Sequence, residues 1–309
     1  MRIVSLLPSA TEILFGIGAG DDVVGVTHEC DYPEAARALP HLTASSLRHD
    51  GTSAEIDRHV RKGLHEGSGL YTLDSEKLDA LAPDLIVTQE LCAVCAVNYR
   101  TVARAASRLK SDPRILSLEP SSLADVYATI ATLGEATDRG DGARALIRAL
   151  QAREAHLRTE TVALAASGEC RPRVLVLEWT DPPMSGGHWT PELVELAGGV
   201  PLLGDPGANS RTLTWEAIAQ TDPDVVVVAP CGFDLAATRK AIAELDGNAN
   251  WRELRAHRDR EVYLVDGNAY LNRPGPRLID TAEIFATIFY EDAVDVAVLD
   301  PHAWAALHD

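Results

Sequence analysis

Hydrophobic and polar positions follow two periods along this chain, and together they predict short buried strands separated by helices. Two stretches, Asp84–Gln89 and Asp224–Ala229, each begin with an aspartate and continue with consecutive, mostly apolar residues. Such runs are typical of strands in a parallel sheet that is covered on both faces. Apolar residues at helical spacing lie between runs of this kind. Strands that alternate with helices imply right-handed crossovers, so the pattern predicts an α/β fold with parallel sheets.

The longest helical pattern runs from Arg139 to Ser167. Leu146, Leu150, Leu157 and Leu164 form an apolar stripe at spacings of four and seven, and charged residues occupy the opposite face. A helix of ~25 residues exceeds the usual globular length of roughly 8–20. It therefore predicts a spacer between two lobes, although a long surface helix of a single domain is the alternative. The predicted organisation is an N-terminal α/β lobe over 1–138, a linking helix over 139–167 and a C-terminal α/β lobe over 168–309.

The two predicted lobes also share one sequence pattern. Leu78–Val87 and Trp215–Val226 each predict a short helix, a Pro-Asp turn and a buried strand. A repeated unit of this kind supports the two-lobe interpretation. Ligands of open parallel sheets bind beyond the carboxyl ends of the strands. We therefore expect both lobes to present their strand ends to a ligand cleft between them.

Composition and charge narrow the classes of ligand. The chain has 309 residues, a formal net charge of −18 and 46% hydrophobic residues, as in an ordinary soluble protein. The negative charge argues against nucleic acid or an anionic membrane as a partner and favours a neutral, cationic or metal-bearing ligand. No apolar run approaches the ~18 residues of a membrane span. The first residues enter a strand without the pattern of a signal peptide, so we expect a cytoplasmic protein, or an exported one if a leader was removed.

Several motifs resemble one known family in their order and spacing. They are Ser5–Glu12, Asp31–Pro33, Ala82–Ile86, Pro182–Gly187 and Pro276–Ile279. Together they resemble the vitamin B12-binding proteins of ABC importers, which belong to the helical-backbone class of substrate-binding proteins. The resemblance implies two α/β lobes joined by one long helix, with an ABC permease as a partner. It also implies a cleft that binds cobalamin, a ferric siderophore, haem or a metal ion without chemistry.

Four cysteines follow predicted strands: Cys30, Cys92, Cys95 and Cys231. If the strand ends face one cleft, these thiols line it. Thiolates favour zinc, iron–sulfur clusters and other soft metals, so a shared metal site is one interpretation. The spacing of Cys92 and Cys95 also suits a redox dithiol. The remaining alternative is that the cysteines are small buried hydrophobic residues.

Aromatic and polar side chains in the same loops are candidate ligand contacts. Tyr32, Trp179 and Trp189 are candidate walls for a flat, largely apolar ligand such as a corrin ring, with packing in the core or at its rim as the alternative. Arg273 is a candidate partner for a carboxylate or phosphate, or else an exposed loop arginine. Ser9 and Glu90 complete the candidate contacts. Polar side chains expected in equivalent loops are His28, Glu29, Glu178 and His188.

Motifs of enzymes are missing from the sequence. It contains no P-loop, no GxGxxG after a strand, no GxSxG and no HExxH. We therefore predict a non-enzymatic protein that captures a corrinoid or another metal-bearing ligand. The alternatives are a cytoplasmic zinc or iron–sulfur protein that uses the four cysteines and, less favoured, an oxidoreductase built on the CxxC motif.

Overall fold

The computed structural model describes residues 1–46, 51–66, 70–89, 99–296 and 299–308, without the side chains of 64–66 and 292. The chain divides into two compact α/β units. The first comprises Met1–Gly51, Glu55–Pro120 and Ala124–Ala149, and the second comprises Thr52–Ala54, Ser121–Leu123 and Leu150–Asp309.

Strands and helices alternate through the N-terminal part of the chain. In order they are β1 (Ile3–Ser5), α1 (Pro8–Gly16), β2 (Val23–Val26), β3 (Thr43–Ser45), α2 (Ser53–Glu66), β4 (Tyr71–Leu73), α3 (Ser75–Leu81), β5 (Leu85–Thr88), α4 (Tyr99–Ala106), β6 (Arg114–Ser117) and α5 (Leu123–Ala136). The main sheet of the first unit has the order β2-β1-β5-β6, and neighbouring strands are parallel. Every residue of β5 is buried, which confirms the prediction of a sheet covered on both faces.

Two local sequence patterns predict something other than what the first unit contains. Ser9-Ala10-Thr11-Glu12 has the spacing of a capping box, which predicts a helix capped by Ser9, but α1 begins at Pro8 and no side chain caps it. Proline sets the backbone angle of a first helical turn without needing a cap, and Thr11 instead donates to the hydroxyl of Ser5. The sequence from His41 to Gly51 has little periodicity, which predicts an irregular stretch, yet Thr43–Ser45 forms β3 and pairs antiparallel with β4.

The long helix is present as α6 (Gly140–Ser167). Its buried residues include Ala143, Leu150 and Leu157, which recur every seven positions as a narrow apolar seam. Gly142 lies so close to the preceding chain that an added Cβ would fall 2.1 Å from the carbonyl oxygen of Ile17. The predicted helix is therefore confirmed, and one glycine near its start is required by the backbone that packs against it.

The alternation of strands and helices resumes after α6. In order the elements are β7 (Arg173–Thr180), β8 (Pro183–Ser185), α7 (Thr190–Leu196), β9 (Val200–Leu202), α8 (Trp215–Thr221), β10 (Val225–Val228), α9 (Leu235–Ala243), α10 (Ala249–Glu253), α11 (Arg255–Arg258), β11 (Val262–Val265), α12 (Leu278–Tyr290) and β12 (Trp304–Ala306). The sheet order is β12-β11-β10-β7-β8, with β9 also paired to β7. Strands β9, β7, β10 and β11 are parallel to their neighbours in this group, whereas β8 and β12 pair antiparallel at the edges.

Three local sequence patterns of the second unit predict something other than what the structure shows. Trp179–Gly187 contains two prolines and two glycines, which predicts a loop, but β7 continues to Thr180 and β8 forms a hairpin with it. The sequence predicts one helix over Asn250–His257, but the structure has two, because Leu254 between them adopts an extended ψ of 135°. Thr190-Pro191-Glu192 has the pattern of an N-cap followed by proline, which predicts that Thr190 caps α7, yet Thr190 is the first helical residue and its hydroxyl donates to Glu178.

The sequence repeat corresponds to the same pair of hydrogen bonds in each unit. In the first unit the Arg2 amide donates to Asp84 Oδ2 at 2.8 Å, and the Asp84 amide donates back to the Arg2 carbonyl at 2.8 Å. In the second unit Arg173 and Asp224 make the same two bonds, at 2.7 and 2.8 Å. Each aspartate follows a helix and fixes the amino end of a central strand. The predicted correspondence between the halves is therefore confirmed.

None of the described helices combines the length and the apolar character that crossing a bilayer requires.

Candidate functional site

A tight turn follows β2 at the carboxyl end of the first sheet. The Cys30 amide donates to the Thr27 carbonyl at 3.3 Å, and the Glu29 amide donates to the Thr27 hydroxyl at 3.0 Å. The Cys30 sulfur lies 3.1 Å from Thr11 Oγ1 and 3.4 Å from Thr27 Oγ1, and the residue is buried. These contacts tie the turn to α1 and fix the direction of the side chains within it.

Two side chains of this turn face the β3–β4 pair. The His28 amide donates to Thr43 Oγ1 at 3.1 Å, and the His28 Nδ1 atom lies 2.6 Å from the same oxygen. The His28 Nε2 atom is 3.9 Å from Glu29 Oε1, which accepts a hydrogen bond from the Tyr71 hydroxyl at 3.4 Å. The rings of His28 and Tyr71 are 5.7 Å apart. An imidazole, a carboxylate and a phenol therefore converge at one strand end.

The other predicted contacts of the first unit differ in their exposure to solvent. Tyr32 follows the same turn, and its side chain is 49% exposed, so the ring is open to a ligand. Ser9 is buried within the first turn of α1. Glu90, Cys92 and Cys95 lie outside the described residues, so the predicted contact of Glu90 and the predicted thiol site stay predictions.

Aromatic side chains gather at the carboxyl end of β7 in the second unit. The Trp179 ring packs on Phe233, with 5.2 Å between ring centroids. Its indole N–H lies 3.1 Å from the carbonyl oxygen of Asp181 and 3.2 Å from that of Ser53. Trp189 donates to the Leu271 carbonyl at 2.8 Å. Both tryptophans are more than nine-tenths buried, so only a small part of either ring can contact a ligand.

A half-buried carboxylate, that of Glu178, connects the loops around these tryptophans. Glu178 Oε1 accepts hydrogen bonds from the Gly187 amide at 3.1 Å and the Thr190 hydroxyl at 2.8 Å, and Oε2 accepts one from the Ser210 hydroxyl at 2.5 Å. Burial raises the pKa of the Glu178 carboxyl above its ordinary value, against the lowering effect of these bonds and of nearby His188. The sequence placed Glu178 at this end of the strand but could not reveal its partners, which come from distant segments.

His188 adds local strain to this region. It adopts a left-handed backbone with φ 49°, which is uncommon for a residue other than glycine. Its amide donates to the Ala208 carbonyl, and its carbonyl accepts from the Gly207 amide, so two hydrogen bonds hold the conformation. Backbone strain of this type is often found at functional sites.

Two further predicted residues lie beyond neighbouring strands of the second sheet. Arg273, in the segment after β11, is buried and donates to Asn268 Oδ1 at 3.1 Å, so the alternative of an exposed loop arginine is wrong. Cys231 follows β10, and its side chain is exposed. Among the residues that the structure describes, no three His, Cys, Asp or Glu side chains are grouped to hold a metal ion. The roles predicted for both residues stay predictions.

Comparison with known proteins identifies the class to which this architecture belongs. Residues 3–269 match the sequence pattern of the family described as periplasmic binding protein. The chain belongs to this family, and it is a substrate-binding protein of the helical-backbone class associated with ABC transporters.

Individual relatives resemble the chain over most of its length. An uncharacterised ABC transporter substrate-binding lipoprotein of Bacillus subtilis is 26% identical over 94% of this chain and 80% of the relative. A vitamin B12-binding protein of Vibrio cholerae is 25% identical over 93% of this chain and 88% of the relative. The chain is thus similar to ligand-binding proteins of this type.

Solved structures confirm the two-domain α/β fold. A periplasmic haem-binding protein of Pseudomonas aeruginosa superposes with a TM-score of 0.71 at 21% identity, covering 96% of this chain and 95% of that one. The periplasmic vitamin B12-binding protein of Vibrio cholerae gives a TM-score of 0.65 at 23% identity, covering 93% of this chain and 96% of that one. At these identities the similarity concerns the fold alone.

Proposed function

We propose that this protein binds a corrinoid such as cobalamin and releases it unchanged. The observation that carries the proposal is the similarity to a vitamin B12-binding protein along 93% of this chain and 88% of the relative. A protein named for cobalamin binding in Halobacterium salinarum, 24% identical over 95% of this chain, supports the same ligand class.

The exposed ring of Tyr32 supports this ligand class. A corrin is broad, flat and largely apolar at its faces, so it gains from contact with an open aromatic surface. Tyr32 offers such a surface at the carboxyl end of the first sheet. Tyr32 is 49% exposed, whereas each of the two tryptophans is less than one-tenth exposed, so Tyr32 has the larger ring area available to a ligand.

The proposed ligand contacts of the second unit have different roles in binding. Trp179 and Trp189 supply the rigid edges of the site, because their indole N–H groups are already bonded to backbone carbonyls. Arg273 supplies a positive charge suited to the phosphate that cobalamin carries. Ser9 and Glu90, which precede β7 in the chain, stay predicted contacts. That both strand ends hold the same ligand stays a prediction.

Titration of the purified full-length protein tests the proposal. We expect aquocobalamin and cyanocobalamin to bind at one site per chain with micromolar or tighter affinity, measured by calorimetry. Tryptophan fluorescence should be quenched in parallel, since the corrin absorbs where indole emits. Haem, titrated under the same conditions, serves as the comparison ligand. Saturable binding of haem with a flat calorimetric trace for both cobalamins would refute the proposal.

A pair of surface variants tests the role of Tyr32. Removing the ring in Tyr32→Ala should weaken cobalamin binding at least about fivefold, because an aromatic contact contributes about 1 kcal/mol beyond its buried area. Val162→Ala is the matched control, since Val162 is also exposed but lies on α6. Equal affinities of the two variants would show that Tyr32 is not a ligand wall.

A further inference from the structure

A strongly basic surface lies on the first unit, although the chain as a whole is acidic. Residues 99–117, from α4 through β6, include five basic residues and one acidic residue, whereas the whole chain has 46 acidic and 28 basic residues. We propose that four of these cations hold the protein against the anionic headgroups of a lipid bilayer. They form what we call the basic surface: Arg104 on α4, Arg108 and Lys110 in the turn after it, and Arg114 at the start of β6.

The charges of the basic surface are available to a partner. All four side chains are exposed to solvent, and none of them makes a salt bridge with any residue that the structure describes. Other exposed arginines of the chain differ in this respect: Arg61, Arg144 and Arg158 are each paired with a carboxylate on their own helix. A cation without a carboxylate beside it keeps its attraction for an external anion.

The packing of α4 fixes the direction in which the basic surface faces. Val102 and Ala106 lie four residues apart and are buried in the core cluster of the first unit. Arg104 is two positions from each of them, and a helix turns about 100° per residue, so its side chain leaves the opposite side. Thr101 and Ser107 are also exposed there. The core therefore holds a polar, cationic face outward.

The composition of this face favours a bilayer over a protein or a nucleic acid. The described structure exposes large hydrophobic side chains at Met1, Tyr32, Val162 and Val200, and none of them belongs to the basic surface. A protein interface normally has an apolar core, and proteins that hold single-stranded nucleic acid normally offer aromatic rings for stacking. Anionic headgroups need neither, since each Lys or Arg near the bilayer strengthens binding about fivefold by charge alone. Guanidinium groups also match phosphate in shape.

The net charge of −18 does not prevent this contact. It repels an anionic bilayer at long range, but charges beyond a Debye length of ~8 Å at physiological salt are largely screened. The basic surface also lies apart from the proposed ligand contact of its unit. Arg114 begins β6 at the amino edge of the parallel sheet, whereas Tyr32 follows β2 at the carboxyl edge. Contact with a bilayer goes beyond the proposed function and does not depend on it.

Vesicle sedimentation with the purified protein tests the proposal. Vesicles of phosphatidylglycerol and phosphatidylcholine in equal parts are compared with vesicles of phosphatidylcholine alone. We expect the protein to sediment with the anionic vesicles at low ionic strength and to be released by about 1 M salt, where the Debye length falls to about 3 Å. Arg104→Gln combined with Arg108→Gln should weaken partitioning roughly 25-fold, because each lost cation accounts for about fivefold.

Two matched pairs of substitutions serve as controls. Arg252→Gln combined with Arg258→Gln removes two exposed arginines of the second unit, and this pair should sediment as the wild type does although its net charge changes equally. Arg104→Lys combined with Arg108→Lys keeps the charge and should retain binding. Circular dichroism shows that each variant is folded, and the single variant Arg108→Glu replaces the glutamine pair if that pair does not fold.

Each other outcome overturns the proposal. Equal sedimentation with neutral vesicles, insensitivity to salt, or an equal loss in the two glutamine pairs would show that the basic surface does not bind the headgroups. Binding of a fluorescent DNA duplex without binding to vesicles would favour nucleic acid instead. Salt-sensitive self-association without binding to vesicles would favour a second copy of the chain. Cobalamin titration is scored separately, so failure of one proposal leaves the other intact.

Discussion

Replacing Glu178 tests whether one carboxylate holds the loops of the second unit together. Its two oxygens accept bonds from Gly187, Thr190 and Ser210, and the Ser210 partner is 32 residues away in sequence. In Glu178→Leu the Gly187 amide loses its acceptor, and a buried unsatisfied donor costs about 1–3 kcal/mol. The two hydroxyls lose their acceptor as well. We therefore expect Glu178→Leu to lower the free energy of unfolding by about 3 kcal/mol.

The isosteric variant separates the hydrogen bonds from the charge. In Glu178→Gln the amide oxygen can accept from Gly187 and Thr190, while the amide nitrogen donates to the Ser210 oxygen. The network keeps its bonds, so we expect a change within about 1 kcal/mol at neutral pH. Urea unfolding followed by circular dichroism measures both variants. If the leucine variant were as stable as the glutamine variant, the reasoning from unsatisfied donors would be refuted.

The pH dependence of stability in the wild type and in Glu178→Gln tests the ionisation of Glu178. Burial raises the pKa of this carboxyl above its ordinary value of 4.5, so the folded protein holds the proton more tightly than the unfolded chain does. Wild-type stability relative to Glu178→Gln should be greatest below pH 4.5 and should fall as the pH rises through the folded-state pKa. A relative stability that rises over this range would mean that the hydrogen bonds outweigh burial. His188→Asn, which tolerates the left-handed backbone, removes the one neighbouring imidazole as a control.

Two further predictions concern packing around α6. Arg153 donates to the buried carboxylate of Glu283 at 2.5 Å, and its guanidinium is one-third exposed. Arg153→Met should therefore lower the free energy of unfolding by about 2 kcal/mol, which is less than the loss expected for a fully buried ion pair. An unchanged urea midpoint would contradict this. Gly142→Ala places a Cβ 2.1 Å from the Ile17 carbonyl oxygen and should lower stability by about 2 kcal/mol, although alanine normally favours a helix. Gly247→Ala, with open space around it, is the control, and equal melting temperatures of the two variants would contradict the clash.

The predictions that succeeded depend on patterns within one short stretch of chain. The four consecutive valines of β10 predict a strand that is buried on both faces, and all four are buried. The leucines at spacings of four and seven predict a long helix, and α6 extends from Gly140 to Ser167. Burial pattern and helix length are properties of the local sequence, so they are visible without the fold.

The predictions that failed depend on partners from other segments. Thr190 looks like a helix cap because its neighbours fit that role, but Glu178 accepts its hydroxyl hydrogen. An exposed loop arginine was one interpretation of Arg273, because prolines and a glycine follow it, yet Arg273 is buried and donates to Asn268. The β3–β4 pair was missed because each strand has only three residues and gains its stability from the other.

The sequence by itself determined the α/β class, the long helix, the repeated unit of helix, Pro-Asp turn and strand, and the positions of polar residues after strands. Only the tertiary structure decided which of those residues meet: that His28 faces Glu29 and Tyr71, and that Glu178 joins Gly187, Thr190 and Ser210. The physical reason is the range of the interactions involved. Periodic burial is set by neighbours a few positions away, whereas a hydrogen-bonded side chain selects its partner by distance in space.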